Sequence, residues 1–283
     1  MKYLSGIELI KKAEKGGYAV PAFCAWNAEI MNVILKTAAE VHSPVIVMQG
    51  PSEFLLLSPV ETAAIARALV KLYDVTAALH YDHGDSLSVL NTCLDAGFTS
   101  VMLDYSTRPY QENVNALKEA VLVAKRFHAA VEGELGAVGK VDDAVKEGSK
   151  HDELTDPRKA REYVEQTGVD MLAVSIGNKH GMYTTLPKFD FHRLQEIHES
   201  VPIPLVLHGG STTPEPDIKR SVDLGIRKIN LASELVACVR ESLKQQWTEG
   251  KNTWLPVALA EATKCLPTII RRWMKMAGSE GMA

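Results

Sequence analysis

Apolar residues along this chain gather in short β-rich runs, each followed by a stretch in which apolar positions recur with helical periodicity. Eight such runs stand at 18–23, 45–48, 75–80, 99–104, 129–134, 171–176, 205–208 and 228–231. Several are almost unbroken in apolar residues, as in PVIVM (44–48) and PLVLH (204–208). That is the pattern of parallel strands covered on both faces. Helices are predicted between them at 28–41, 59–72, 86–96, 110–127, 157–167, 191–200, 215–224 and 233–247, with a ninth over 257–276. Gly97, Gly168 and Gly225 each precede a strand, where a helix C-terminal glycine belongs. Strands alternating with helices predict a parallel sheet, and eight such units close into a (β/α)8 TIM barrel with an additional C-terminal helix. No linker or low-complexity stretch interrupts the order, so 1–283 is expected to be a single domain. The exception is 135–156, which carries Gly136, Gly139, Gly148 and mixed charge and is too long for an ordinary connection. It is expected to be an active-site loop.

Composition narrows the function more than the fold. The chain has 283 residues, 46% hydrophobic and 23% charged, with a formal net charge of −4, the make-up of a globular enzyme. No basic stripe interleaved with aromatics is present, which argues against nucleic acid as a partner and for a small molecule. The N-terminus turns polar at Glu8, Lys11 and Lys12 before a signal-like apolar core develops, and no apolar run is long enough to span a bilayer. The four cysteines lack CxxC spacing, so neither a disulfide framework nor a zinc ribbon is expected, and a reducing cytoplasm is the simple setting. Cys93, Cys238 and Cys265 read as small buried apolar side chains, whereas Cys24 ends a strand and is placed to line a pocket.

The polar residues at the strand ends carry the chemistry. They are Asn27, Gln49, Asp82 with His83, Asp104 with Ser106, Glu132 with Glu134, Asn178 with His180, His208 with Gly209, Gly210 and Ser211, and Asn230 with Ser233. Active sites of (β/α)8 barrels are assembled at that face from several strands. His83, His180 and His208 each follow a separate strand, and three imidazoles with an open coordination position suit a catalytic Zn2+. His80 and His128 receive no role on this reading. Asp82, next to a proposed ligand, is placed to exchange a proton with a substrate hydroxyl. Asp104 and Glu134 end strands four and five, where they hold a second metal position or orient ligands. Glu132 faces the same way as Glu134 and belongs either behind the ligands or in the barrel core. The glycines after His208 and the helix opening at Ser233 expose backbone amides suited to a phosphate, at the two strands where barrels often bind one.

With these positions in hand, the chain resembles the class II, zinc-dependent ketose-bisphosphate aldolases, in particular their tagatose- and fructose-bisphosphate branch. GGYAVPAF (16–23), Asp82-His83, SVMLD (100–104), VEGELG (131–136), HGMY (180–183), PLVLHGGS (204–211) and KINLASEL (228–235) follow in that family's order over almost the whole length. The resemblance implies a (β/α)8 barrel that reversibly cleaves a ketose 1-phosphate or 1,6-bisphosphate into dihydroxyacetone phosphate and an aldehyde. It implies zinc on His83, His180 and His208, a second metal position at Asp104 and Glu134, and proton exchange by Asp82. By family position the phosphate falls to Gly181, to Gly209, Gly210 and Ser211, and to Asn230, Leu231, Ala232 and Ser233, with Asn27 also turned to substrate. A monovalent cation, Na+ or K+, joins this site in related enzymes through backbone carbonyls, and barrels of this family form homo-oligomers, dimers or tetramers.

Departures from the family's pattern fall on one side. The loop acid that manages the carbon-bound proton, commonly glutamate, corresponds to Asp142, one methylene shorter. Gly84 replaces a second histidine, Gly50 stands where relatives carry a serine or threonine for the far phosphate, and Cys24 replaces a common asparagine. His208 is followed by Gly209-Gly210-Ser211-Thr212 where HGxSG is usual. The dihydroxyacetone-phosphate half is intact and the acceptor half altered, so the aldehyde is expected to differ from glyceraldehyde 3-phosphate. A metal-dependent sugar-phosphate isomerase or epimerase shares the enediolate chemistry, and a non-catalytic accessory subunit shares the barrel.

Overall fold

The computed structural model describes residues 3–139, 154–183, 185–251 and 254–283. Eight parallel strands follow one another around a closed barrel: β1 (Val20–Cys24), β2 (Val45–Gln49), β3 (Ala77–Gly84), β4 (Ser100–Leu103), β5 (Ala130–Leu135), β6 (Met171–Val174), β7 (Leu205–Leu207) and β8 (Ile226–Leu231), with β8 pairing back onto β1. Around and below them lie α1 (Gly6–Gly16), α2 (Ala28–Glu40), α3 (Pro59–Tyr73), α4 (Leu87–Ala96), α5 (Tyr110–Lys125), α6 (Pro157–Thr167), α7 (Phe191–Ser200), α8 (Glu215–Asp223), α9 (Ser233–Thr248), α10 (Leu255–Ala262) and α11 (Leu266–Met276). The expected strands and helices match these within a few residues at their ends, apart from β3, which runs on through Gly84. No helix among the described residues is long and apolar enough to cross a membrane.

Alternation along each strand sorts its side chains into two buried populations. Outward residues such as Phe23, Leu79, Val101 and Leu172 pack in the layer between strands and helices. Inward residues such as Val20, Ile46, Ala78 and Met171 pack with Leu9, Ile10 and Ala13 of α1, which plugs the floor of the barrel. The eight-unit pattern has no place for α1, yet its start is marked in the sequence by a capping box: Ser5 accepts from the Glu8 amide and Glu8 reaches back to the Ser5 amide. Above that apolar floor the interior turns polar, with His80, Glu132 and Lys228 fully buried.

Two expectations need correction. The ninth helix is broken into α10 and α11 by a 3-10 turn at Thr263–Cys265. Pro267 explains the break, because a proline there cannot donate to the carbonyl four residues back and its ring would clash with it. Cys238 and Cys265 are not isolated core residues but half-buried and side by side, with Cα atoms 6.5 Å apart. Their separation of 27 residues gives no local spacing signal, and only the packing of the last helices brings them together. Cys93 and Cys24 are buried free thiols.

α11 closes the outer layer through Trp273, which is 1% exposed and donates its indole N–H to Glu234 of α9 at 2.8 Å. Replacing Trp273 with Ala should cost about 3–5 kcal/mol, the usual range for emptying a buried aromatic site. Urea unfolding is expected to show this as a lower midpoint with an unchanged slope.

Candidate active site

Regular alternation would send Asp82 and His83 to opposite faces of β3. The β3–β4 register shifts between Tyr81 and Gly84, and His83 takes φ +46°. This bulge turns both side chains into one cavity of about 660 Å3 at the C-terminal mouth of the barrel. Only glycine fits at the end of the bulge, since a Cβ on Gly84 would stand 2.4 Å from the Met102 carbonyl. A non-glycine residue held in the left-handed region is strained, and such strain concentrates at functional sites.

His180 and His208 arrive by different routes. His208 directly follows β7, whereas His180 sits at the end of a loop that leaves β6 at Val174. Asn178 folds that loop back: its Oδ1 accepts from the Ile176 amide at 2.8 Å and its Nδ2 donates to the His208 carbonyl at 3.0 Å. The His180 amide donates to the Gly139 carbonyl at 2.8 Å, so the near end of the 135–156 segment also helps to seat it. Tyr183 ties the same loop to the next one, accepting from the Lys179 amide at 2.6 Å and donating to the Gly209 carbonyl at 3.3 Å.

The three imidazoles share one arrangement. His83 donates Nδ1–H to Asp104 Oδ2 at 2.7 Å, His208 donates Nε2–H to Glu132 Oε1 at 2.7 Å, and His180 donates Nδ1–H to the Val138 carbonyl at 3.3 Å. Each bond leaves the opposite ring nitrogen facing the common space, which is how ligating histidines are held by an outer acceptor. His83 Nε2 and His180 Nε2 are 3.2 Å apart, and His208 Nδ1 is buried with no hydrogen-bond partner. Nitrogens at 2.0–2.1 Å from a tetrahedral zinc would be separated by about 3.3 Å. The donor set therefore fits such an ion.

Charge leads to the same fit. Asp82, Asp104, Glu132 and Glu134 crowd the imidazoles, and Lys228 is the fixed cation bonded among them. Burial alone would lower His83, but Asp82, the bond to Asp104 and Glu134 overcome it and push the ring up to about 10. These acids thus call for positive charge where His83 Nε2 points. His180 is driven down to about 3 by burial and by its neighbouring imidazoles, which keeps it a neutral lone-pair donor. Burial would raise Asp82, yet His83, the His80 bond, Lys228 and His208 hold it well below the usual carboxylate range. Glu134 is raised to about 7 by burial and by Asp104. Its Oε2 has no hydrogen-bond partner and lies 3.4 Å from His208 Nδ1, so it faces the same space. Asp104 behaves differently, because Ser106 occupies its Oδ1 and His83 its Oδ2. It fixes the orientation of the His83 ring.

Beside the histidines lies a cradle for an anion. Gly181, Gly209, Ser211 and 230–233 line one wall of the cavity, ending at the first turn of α9. Gly209 has φ +63°, and a Cβ there would stand 2.1 Å from the Lys179 carbonyl, so the two loops meet through bare backbone. Gly210 does not line the cavity; its amide donates to the Asn230 carbonyl at 3.1 Å and it packs against Ile229. Asn27 is also absent from the lining, because its Oδ1 caps α2 by accepting from the Ile30 amide at 2.9 Å. Asn230 donates to Asp82 Oδ1 at 2.9 Å. Asp142 lies outside the described residues.

Sequence reasoning missed two buried partners, His80 and Lys228, and left Glu132 open between a place behind the ligands and the barrel core. Glu132 accepts from Lys228 Nζ at 2.7 Å as well as from His208, and His80 lies 3.7 Å from both Asp82 and Glu132 while bonding Ser100 Oγ at 2.7 Å. Burial would raise Glu132, but Lys228, the His208 bond and His80 hold it down to about 2. A signal was present: His80, Glu132 and Lys228 each stand two residues before Asp82, Glu134 and Asn230, hence on the same inward face.

The chain matches the family described as fructose-bisphosphate aldolase class-II over residues 5–282. It is 39% identical, over 99% of both chains, to the D-tagatose-1,6-bisphosphate aldolase subunit GatY of Klebsiella oxytoca. Among solved structures it resembles the YdjI aldolase of Escherichia coli K12, with TM-score 0.85 and 30% identity over 99% of each chain. The fructose-bisphosphate aldolase of Campylobacter jejuni shares the fold, with TM-score 0.82 and 21% identity over 99% of this chain and 97% of the other.

Removing one member of a buried ion pair leaves the other charge uncompensated, which costs about 3–5 kcal/mol. Lys228→Met is expected to destabilise the protein by that amount in urea unfolding. It should also weaken metal retention against a competing chelator by about 10–100-fold, since Glu132 holds His208. Adding Glu132→Gln to Lys228→Met should restore much of the stability but not the metal affinity.

Proposed function

Because the chain belongs to the class-II fructose-bisphosphate aldolase family and is a lyase, we propose that it is a zinc-dependent aldolase. It would reversibly cleave a ketose 1-phosphate, rather than the 1,6-bisphosphate that yields glyceraldehyde 3-phosphate, to dihydroxyacetone phosphate and a different aldehyde. The observation that carries this reading is the convergence of His83 Nε2, His180 Nε2 and His208 Nδ1 beside the Asp82 carboxylate. A bound zinc ion would supply Lewis acidity toward the substrate carbonyl and the charge that carbon–carbon cleavage leaves. Asp104 and Glu132 keep the rings in their ligating tautomers, and Glu134 faces the same space, where it serves a second metal position.

Asp82 takes the proton of the hydroxyl on the carbon that becomes the aldehyde and returns it in condensation. Its Oδ1 is held by Asn230, and the neighbouring positive groups keep it ionised in the resting site, the form a proton acceptor needs. The phosphate rests on Gly181, Gly209 and Ser211 and on 230–233, where amides at the start of α9 favour an anion. Na+ or K+ held by backbone carbonyls accompanies that phosphate, and Asp142 on the 135–156 segment manages the carbon-bound proton. We place the enzyme in the cytoplasm, where phosphosugars are made and used. The free thiols of Cys24 and Cys93 accord with that setting. Trp247, Trp254, Leu255 and Val257 leave an exposed apolar patch around α9 and α10, which supports a homo-oligomer, dimer or tetramer. Retention of His83, His180, His208 and Asp82 speaks for catalysis over a purely accessory role.

Stripping the protein with EDTA should abolish cleavage, and stoichiometric Zn2+ should restore it. Release of an aldehyde separates this activity from isomerisation or epimerisation, and full activity without metal would sink the reading. Asp82→Asn should retain zinc yet lower kcat by roughly 10²–10⁴-fold, the usual contribution of a positioned base.

A further inference from the structure

The two ends of the cavity differ in charge design. At the β7–β8 end the lining is backbone amide, hydroxyl and the first turn of α9. On the other side of Asp82, β2 ends at Gln49, and the chain turns through Gly50 into a 3-10 turn that begins at Glu53. This segment abuts Asp82 directly, since a Cβ on Gly50 would stand 2.8 Å from the Asp82 carbonyl. An aldehyde whose oxygen lies at Asp82 extends along this wall.

The wall already holds an anion. Glu53 Oε2 accepts from the Gly50 amide at 2.8 Å and Oε1 accepts from Ser52 Oγ at 2.8 Å. The strand-end amide that a second phosphate would use is therefore satisfied internally. Cys24, facing the same carboxylate, stays a neutral thiol, because burial and the Glu53 and Asp82 charges raise it well above the usual thiol range. No lysine or arginine is among the described residues lining the cavity. Arg271 and Arg272 on α11 are paired with Glu40 and Glu234. The cavity is wide enough for a sugar bisphosphate, so size does not exclude one.

Resting on the aldolase reading above, we propose that Glu53 is a specificity-determining residue that excludes phosphorylated aldehydes and selects an uncharged hydroxyaldehyde as the partner of dihydroxyacetone phosphate. A carboxylate has about four acceptor positions. Gly50, Ser52 and the Cys24 thiol use three of them, and Glu53 lines the cavity with acceptor capacity left for a substrate hydroxyl.

The test uses the full-length zinc-loaded enzyme in condensation with dihydroxyacetone phosphate. Glyceraldehyde 3-phosphate is compared with glyceraldehyde, glycolaldehyde and lactaldehyde. Wild type should favour the uncharged aldehydes by roughly tenfold or more in kcat/KM, as expected for like charges brought together. Glu53→Gln, which keeps a carbonyl for the Gly50 amide, should shift that ratio toward the phosphorylated aldehyde by about tenfold. Glu53→Asp, which keeps the charge, should leave rejection in place. Hydrogen exchange at the carbon of dihydroxyacetone phosphate, followed by NMR, needs no acceptor and reports on each protein whether the rest of the site is assembled. Equal or better use of glyceraldehyde 3-phosphate by wild type, or the same ratio in Glu53→Gln with exchange intact, would overturn the role of Glu53 alone. Absence of exchange in wild type would overturn the aldolase reading and this inference with it.

Discussion

Glu132 is the hinge of the site's architecture. Sealed inside the barrel, it accepts a bond from Lys228 on β8 and another from His208 after β7, both at 2.7 Å. A lone carboxylate there would be forced to take up a proton, and a neutral acid could not fix the tautomer of His208. Lys228 keeps it charged, and the charged carboxylate turns His208 so that Nδ1 faces the cavity. This chain of dependence runs across strands β5, β7 and β8, so the closed sheet is a condition of the chemistry and not merely its support.

A second constraint acts through the backbone. Asp82 and His83 are neighbours that a regular strand would separate, and the bulge with His83 at φ +46° unites them. Base and proposed ligand thereby come from one short segment, with carboxylate and imidazole 4.0 Å apart. The energetic cost of a left-handed histidine is of order 1–3 kcal/mol, which the paired strands and the bond from His83 to Asp104 hold in place. Packing at Gly84 leaves no room for a different path.

The cavity built on these two devices is asymmetric. One end offers amides and a helix N-terminus to an anion, while the other presents the Glu53 carboxylate and no cationic side chain among the described residues. Family membership fixes the class of reaction, and the proposed exclusion of phosphorylated aldehydes rests on this asymmetry.

The succession of apolar runs and helical periods was enough to place all eight strands, because burial on both faces writes itself into composition along each strand. Strand-end histidines and acids were legible for the same reason: barrel geometry gathers the C-terminal ends of strands at one mouth. Gly210 and Asn27 show the limit, since the same polar or glycine character serves a backbone packing contact in one and a helix cap in the other. The bulge at His83, the tautomers, the juxtaposition of Cys238 with Cys265 and the bridging role of Glu132 belong to tertiary structure alone. Each depends on atoms distant in sequence meeting at contact or hydrogen-bond range, and residue type and spacing encode direction along one element but not distance between two.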